Sequence, residues 1–194
     1  TGGRILLDGV DIRDITQKKL RSAIGFVPQK GILFSGTIES NLKYADKNIS
    51  DETMKMAART AQVAEFIEAK PYAYEAPVAQ NGSNVSGGQR QRLAIARAIA
   101  KQPQIYLFDD SFSALDFKTD AALRRALAEN TANATNIIVA QRVSTIMHAD
   151  RIIVLDEGRI VGIGTHDELI KNCSEYREIA ESQLSKAELE GGVA

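Results

Sequence analysis

Residues 86–110 read SGGQRQRLAIARAIAKQPQIYLFDD, and the order of patterns in this stretch decides the fold class. A serine and two glycines lead into an amphipathic helix over Arg90 to Ala100. A short apolar strand, Ile105 to Phe108, follows and ends on Asp109 and Asp110. A helix running into a buried strand is one repeat of an α/β protein with a largely parallel sheet. The alternation continues on both sides. Upstream, Ile24 to Val27 reads as a strand that enters an irregular segment, Pro28 to Gly36. Ser50-Asp51-Glu52 then caps a helix whose apolar positions include Met56, Val63 and Ile67. Lys70 to Gly88 reads as a second loop. Downstream, Ala121 to Glu129 is helical. Ile137 to Ala140 and Ile152 to Leu155 are β-branched strands expected to be covered on both faces.

The ends follow the same rules. Arg4 to Leu7 and Val10 to Ile12 flank Asp8-Gly9, a two-residue hairpin signal that adds an antiparallel piece, and a polar helix starts near Thr16. Thr165-His166-Asp167-Glu168 is a capping box that opens another helix, and the Gly191-Gly192 tail reads as flexible. At 194 residues with 44% hydrophobic and 25% charged residues, the chain has the composition of one globular domain with an ordinary core. The formal charge is −1 with no block of like charge, so no nucleic-acid footprint is visible. No apolar run approaches the roughly 18 residues of a membrane helix. The single cysteine, Cys173, fits a reducing compartment. His148, His166 and Cys173 suit no zinc spacing and read as structural; Arg90, Arg92 and Arg97 read as the solvated or interface face of their helix. The chain opens on Thr1, directly in strand-like sequence, and is expected to be part of a longer protein.

Two places carry chemistry. Ser86, Gly87 and Gly88 gather free backbone N–H groups and the positive end of a helix dipole at one point, where phosphate binds. The glycines permit close approach, and the serine hydroxyl adds a donor. Asp109 and Asp110 lie at the C-terminal end of a strand, the edge where α/β sheets place ligands. A carboxylate there can hold Mg2+ while the metal bridges nucleotide phosphates.

Asn84 to Gln89, with its continuation Arg90-Gln91-Arg92-Leu93-Ala94-Ile95-Ala96-Arg97-Ala98, resembles the signature motif of ATP-binding cassette (ABC) transporters almost letter for letter. Ile105 to Asp110 resembles the Walker B strand, Ser113-Ala114-Leu115-Asp116 the D-loop, and Val27-Pro28-Gln29 the Q-loop. Leu33 to Ile38 with Asn41-Leu42 resembles exporter-type domains, although a loop that is apolar only because it packs on the core explains those residues too. Asp156 to Ile160 and Gly164 to Leu169 resemble the family's last hairpin and helix. The resemblance covers the whole chain and implies a P-loop NTPase-like (RecA-like) core sheet with an antiparallel edge and an inserted α-helical subdomain, truncated at the N-terminus. It assigns 1–49 to the core with the Q-loop, 50–103 to the helical subdomain with the signature, 104–172 to the remaining core, and 173–194 to a C-terminal helix and tail.

The resemblance also implies the ligands and roles. ATP and Mg2+ are the cofactors, with Asp109 and Gln29 at the metal. Ser86, Gly87, Gly88, Gln89 and Asp116 would contact nucleotide across a dimer, and Asp110, Gln141 and Gln29 stand at catalytic positions. The partners implied are a second nucleotide-binding domain and the membrane domain of the same transporter, at the cytoplasmic face of the plasma membrane, without nucleic acid. Three departures stand out. Asp110 replaces a glutamate that activates the attacking water, and a carboxylate one methylene shorter falls out of reach; losing a general base typically costs about 10²- to 10⁴-fold. Gln141 replaces a histidine and cannot carry the imidazolium charge. Pro77-Val78-Ala79-Gln80 lacks the acidic residues usual in a loop that touches the partner's membrane domain.

This pattern resembles the degenerate subunit of a heterodimeric exporter, whose own site hydrolyses poorly while its signature completes the partner's. No Gly-x-x-x-x-Gly-Lys-Ser/Thr occurs in these residues, and in the family it lies upstream. The stretch alone is therefore expected to bind ATP weakly or not at all, to lack ATPase activity and to expose core surface. Two other readings share the motifs: a soluble ABC-type ATPase unconnected with transport, and a non-catalytic dimerisation module.

Overall fold

The structure, a computed structural model, describes residues 2–184; the glycine tail at 191–192 lies outside them. The chain divides into two compact units, the first ending at Val139 and the second starting at Ala140.

The first unit opens with β1 (Leu6–Leu7) and β2 (Val10–Asp11), joined through Asp8 and Gly9 at φ 48° and 80°. Both turn positions take the left-handed conformation that a two-residue hairpin requires. Thr16 caps α1 (Gln17–Ala23), which leads directly into β3 (Ile24–Val27). Next come β4 (Gly36–Thr37), α2 (Ile38–Leu42), α3 (Asp51–Thr60), α4 (Ala64–Glu68) and β5 (Pro77–Val78). The unit closes with α5 (Gly87–Ala100), β6 (Ile105–Asp109), α6 (Phe117–Asn130) and β7 (Thr135–Val139).

Its central sheet is three parallel strands in the order β3-β6-β7, with β6 in the middle; β1-β2 and β4-β5 are separate antiparallel pairs. The core gathers Val27 and Phe108 from the sheet with Leu33, Ile38 and Leu42 from the loop and α2, and with Leu93, Ile95 and Ile99 from α5. Packing on the core thus explains Leu33, Ile38 and Leu42 within the stretch that looked exporter-like.

Several sequence expectations need correction. The helix expected to run from Ser50 past Ile67 is two helices. Gln62, at φ 56°, donates to Arg59 O, and Val63 donates to Ala58 O, the bond pattern of a Schellman terminus with glutamine in place of glycine. Arg92 donates to the carbonyl of that same Gln62, which holds the break from outside the helix. The loop expected over 70–88 contains β5, whose partner β4 is distant in sequence. The strands expected to be covered on both faces are covered on one. In the paired row Phe26, Leu107, Ile137, the outer two side chains are 55% and 50% exposed, because β-branched composition reports fit to a pleated surface, not cover on two sides.

The arginines of α5 are not a solvated face either. Arg90 donates to the Asn81 and Gly82 carbonyls, Arg92 to Gln62, and Arg97 to Ile32 O at 2.8 Å. The helix between them is buried on most sides, so these side chains satisfy loop carbonyls that pack around it.

The second unit contains α7 (Val143–Ile146), β8 (Ile152–Asp156), β9 (Arg159–Gly164), α8 (His166–Asn172) and α9 (Ser174–Gln183). β8 and β9 form a hairpin through Glu157 and Gly158, and α8 starts at Thr165 with both bonds of its capping box. Along β8, Ile152 and Val154 are buried while Ile153 and Leu155 face outward. Val143, Ile152, Val154, Leu169, Cys173 and Tyr176 make its core. Of the three residues read as structural, His166 and Cys173 are buried here and His148 is exposed. His166 Nδ1 lies 2.8 Å from the Tyr176 hydroxyl inside this cluster, and the Cys173 thiol is buried in it.

Candidate functional site

The C-terminal edge of the central sheet brings the two candidate chemical loops together. β3 and β6 pair in parallel from Ile24↔Ile105 to Val27↔Phe108, so Pro28 and Asp109 leave the sheet side by side. Pro28 has no N–H to continue the ladder, and the chain turns away there. Asp109 still pairs with Val139, and the Asp110 amide donates to Val139 O at 2.9 Å. Asp110 then turns the chain at φ 43°, a left-handed conformation that aspartate adopts more readily than longer side chains. The hydroxyl of fully buried Ser111 donates to Val27 O at 2.9 Å and fastens this turn to the end of β3.

In this frame Gln29 Nε2 donates to Asp110 Oδ2 at 3.1 Å. The Asp110 carboxylate is thus drawn under the Q-loop segment and is only 8% exposed, whereas Asp109 is open to solvent. Three of the residues singled out from sequence, Gln29, Asp109 and Asp110, therefore share one edge of the sheet. Carboxylate and amide oxygens of this kind are hard donors, the kind Mg2+ takes. Among the described residues no group of three or more His, Cys, Asp or Glu could hold a metal.

The second group is the start of α5. Ser86 is its N-cap, with Oγ accepting from the Gln89 amide at 3.3 Å and Gln89 Oε1 accepting from the Ser86 amide at 2.9 Å. The capping box uses Ser86 Oγ and Gln89 Oε1 as acceptors, so the Ser86 hydroxyl proton and Gln89 Nε2 remain as donors for a ligand beside the backbone amides. The amides of Gly87 and Gly88 have no acceptor among the described residues. A Cβ built on Gly87 would meet nothing within 4 Å, so the approach to these N–H groups is open. Fourteen aligned peptide units stand behind them, which favours an anion at that end.

Asp116 caps α6, its Oδ1 accepting from the Thr119 amide at 3.0 Å, and Thr119 holds this carboxyl below the usual carboxylate range. It is therefore charged, exposed and committed to its helix. Gln141 lies just past β7, in the second unit, where its carbonyl accepts from Gln183 Nε2 at 2.9 Å while Gln183 Oε1 takes the Val143 amide. One glutamine of α9 thus fixes the backbone at Gln141 and the start of α7. Gln80 sits on the surface in a tight turn after β5.

Two site residues were not given roles from sequence. Ser111 joins the two strands' ends, and Gln91 bonds the backbone on both sides of Gln29. Gln91 carried a signal: it shares its helical phase with Ile95 and Ala98, and a polar side chain on a buried stripe must find partners.

Residues 1–113 match the family described as ABC transporter. An uncharacterized ABC transporter ATP-binding protein of Mycobacterium bovis is 47% identical over 196 residues, taking in all of this chain and 33% of the relative. The ATP-dependent lipid A-core flippase of Albidiferax ferrireducens is 45% identical, over 94% of this chain and 32% of the relative. Among solved structures, that of a bacterial Atm1-family ABC exporter with ATP bound superposes with a TM-score of 0.90 at 40% identity, covering 95% of this chain and 33% of that one. The chain spans about a third of the length of the curated relatives it matches. The chain belongs to the ABC transporter family, with the fold of its nucleotide-binding domain.

Proposed function

We propose that this chain is the nucleotide-binding part of an ABC exporter that binds ATP with Mg2+ and hydrolyses it poorly at its own site, while its signature completes a competent site on a different partner domain. The observation that carries the reading is the Gln29–Asp110 contact at the sheet edge. A water-activating carboxylate must reach the attacking water. Here the carboxylate is short and nearly buried, and it already accepts the Gln29 amide. Asp109 is exposed and free to face a metal, so the contact leaves metal binding possible while withdrawing the base. Gln141, in place of the histidine found at that position in the family, supplies no positive charge to a developing phosphate charge.

The open amides of Gly87 and Gly88 support the other half of the reading, since they are free to take the terminal phosphate of a nucleotide held by the partner. A bound Mg2+ would neutralise phosphate charge, with Asp109 and Gln29 supplying oxygens to it. Residues 50–103 then form the helical subdomain and residues 1–49 and 104–172 the core, with 173–194 a C-terminal addition. No described helix is long and apolar enough to cross a membrane, so the membrane domain of the transporter would hold the chain at the cytoplasmic face of the plasma membrane. Exporter activity rests on the lipid flippase and Atm1-family likenesses.

The test is ATP turnover by the assembled transporter, comparing wild type with Asp110→Glu plus Gln141→His in this chain. The reading expects a clear rise, on the order of a hundredfold at this site, the lower end of the range for general-base catalysis. Unchanged or lower turnover in a folded, ATP-binding assembly contradicts it.

A further inference from the structure

Gln91 lies in the second turn of α5, 2% exposed, on the helix face that packs into the core. Its Nε2 donates to Pro28 O at 3.1 Å and its Oε1 accepts from Gly31 N at 2.6 Å. Those two backbone groups belong to the first and fourth residues of Pro28-Gln29-Lys30-Gly31, the pair that bond each other directly in a β-turn. The glutamine amide is spliced between them. Gln29 is thereby the second residue of a turn whose closure belongs to α5, and its own amide reaches Asp110 Oδ2 at 3.1 Å.

The approach is close enough to exclude a side chain. A Cβ on Gly31 would stand 2.9 Å from Gln91 Oε1 and 3.0 Å from both Arg90 O and Gln91 Cα. Farther along α5, Arg97 donates to Ile32 O and lies over the Phe34 ring, so the segment after the turn is tied to the same helix. The helix start at Gly87 is about 6 Å from Gln91 along the axis, a span over which an α-helix moves as one piece.

We infer that Gln91 is a positioning residue through which the state of the signature amides sets Gln29 against Asp110, so that the nucleotide completed by one end of α5 is registered at this chain's own site. This rests on the proposed function, in which Gly87 and Gly88 take a phosphate from the partner's nucleotide. Anion capture at the helix start displaces or steadies α5, Gln91 carries that change into the Pro28–Gly31 turn, and Gln29 delivers it to Asp110.

The test is a double-mutant cycle on ATP turnover at this chain's own site, read as the rate of γ-phosphate loss from nucleotide crosslinked to this chain in the assembled transporter at saturating Mg·ATP: wild type, Gln29→Ala, Gln91→Met, and both together in this chain. Methionine fills a similar volume and makes neither bond. Gln91→Met is expected to change turnover by about fivefold or more, the low end of ordinary site-to-site coupling, and Gln29→Ala by a similar factor. The double variant is expected to match the stronger single, because Gln91 acts only through Gln29. A merely structural role for Gln91 lowers Tm and yield but leaves the two effects multiplying. Multiplying effects, or a Gln91→Met transporter with wild-type turnover, overturn the inference. Should Gln91→Met not assemble, Gly31→Ala presses on the same turn from the opposite side and takes its place in the cycle, with the same expectation and the same overturning results. If the wild-type assembly neither binds nor hydrolyses ATP, the proposed function falls and takes this inference with it. If the wild type turns ATP over and the two effects multiply, this inference alone falls.

Discussion

Replacing Asn41 by leucine removes the side chain that shapes the loop between the Q-loop turn and α2. Asn41 is 1% exposed, and its amide makes three bonds: Nδ2 donates to Phe34 O at 2.8 Å and to Thr37 O at 2.9 Å, and Oδ1 accepts from Phe34 N at 2.8 Å. Leucine fills a similar space without any of them. At about 1 kcal/mol net for each bond, the loss is about 3 kcal/mol. For a domain of this size about 3 kcal/mol corresponds to a fall in Tm of about 6 to 12 °C.

The chain has no tryptophan, so circular dichroism at 222 nm during urea and thermal unfolding is the assay. Asn41→Asp is the internal control. It keeps the acceptor for Phe34 N but sets a buried carboxylate against the Phe34 and Thr37 carbonyls. It should therefore be at least as damaging at pH 7 and recover as the pH falls and a carboxyl proton replaces a lost donor. A loss below about 1 kcal/mol for Asn41→Leu, within the usual worth of one bond, refutes the reasoning that the three bonds act together to hold the loop.

Other expectations come from the second unit. A Cβ on Gly162 would stand 2.9 Å from both Cys173 Sγ and Leu169 Cδ2, so Gly162→Ala should destabilise the chain by about 1–3 kcal/mol, with part recovered in the Gly162→Ala, Cys173→Ala double variant. Urea midpoints measure both, and an unchanged midpoint for the single variant refutes the close packing. Burial pushes the Tyr176 hydroxyl up to about 12. A phenol with a raised folded pKa contributes stability that is complete below its ordinary value near 10 and is lost as the pH rises through about 12. Absorbance at 295 nm should show one of the five tyrosines ionising last, together with loss of helical signal, and Tyr176→Phe should remove that late step. A late step that survives Tyr176→Phe contradicts the assignment.

What the sequence made legible is what short-range bonds decide. Ser50, Ser86 and Thr165 each cap their helix through an amide three residues ahead, and Asp8-Gly9 closes its hairpin within four residues. The pairing of Asp109 with Val139 and of Val27 with Phe108, by contrast, follows from alternation of strands and helices, which sets the order of parts but not which faces are covered. Ile137 and Ile153 therefore read as covered on both faces and are exposed. The break at Gln62 was hidden because its left-handed residue is not glycine and its carbonyl is held by Arg92, thirty positions away. The Q-loop clamp was hidden for the same reason. Gln91 reads as one polar letter in a familiar motif, and its partners, Pro28 and Gly31, are identified only by the fold. At the sheet edge, the identity of Asp110 was legible, whereas its retreat under Gln29 was not.

The decisive measurement follows the γ-phosphate on each chain of the assembled transporter. Photoreactive ATP carrying a γ-phosphate label is incubated with Mg2+, crosslinked at intervals, and the chains are separated and counted. A poorly hydrolysing site in this chain retains the γ-label on this chain long after the partner has lost its own. Loss of the γ-label from both chains at the same rate contradicts the claim that the short, buried carboxylate of Asp110 has silenced this site.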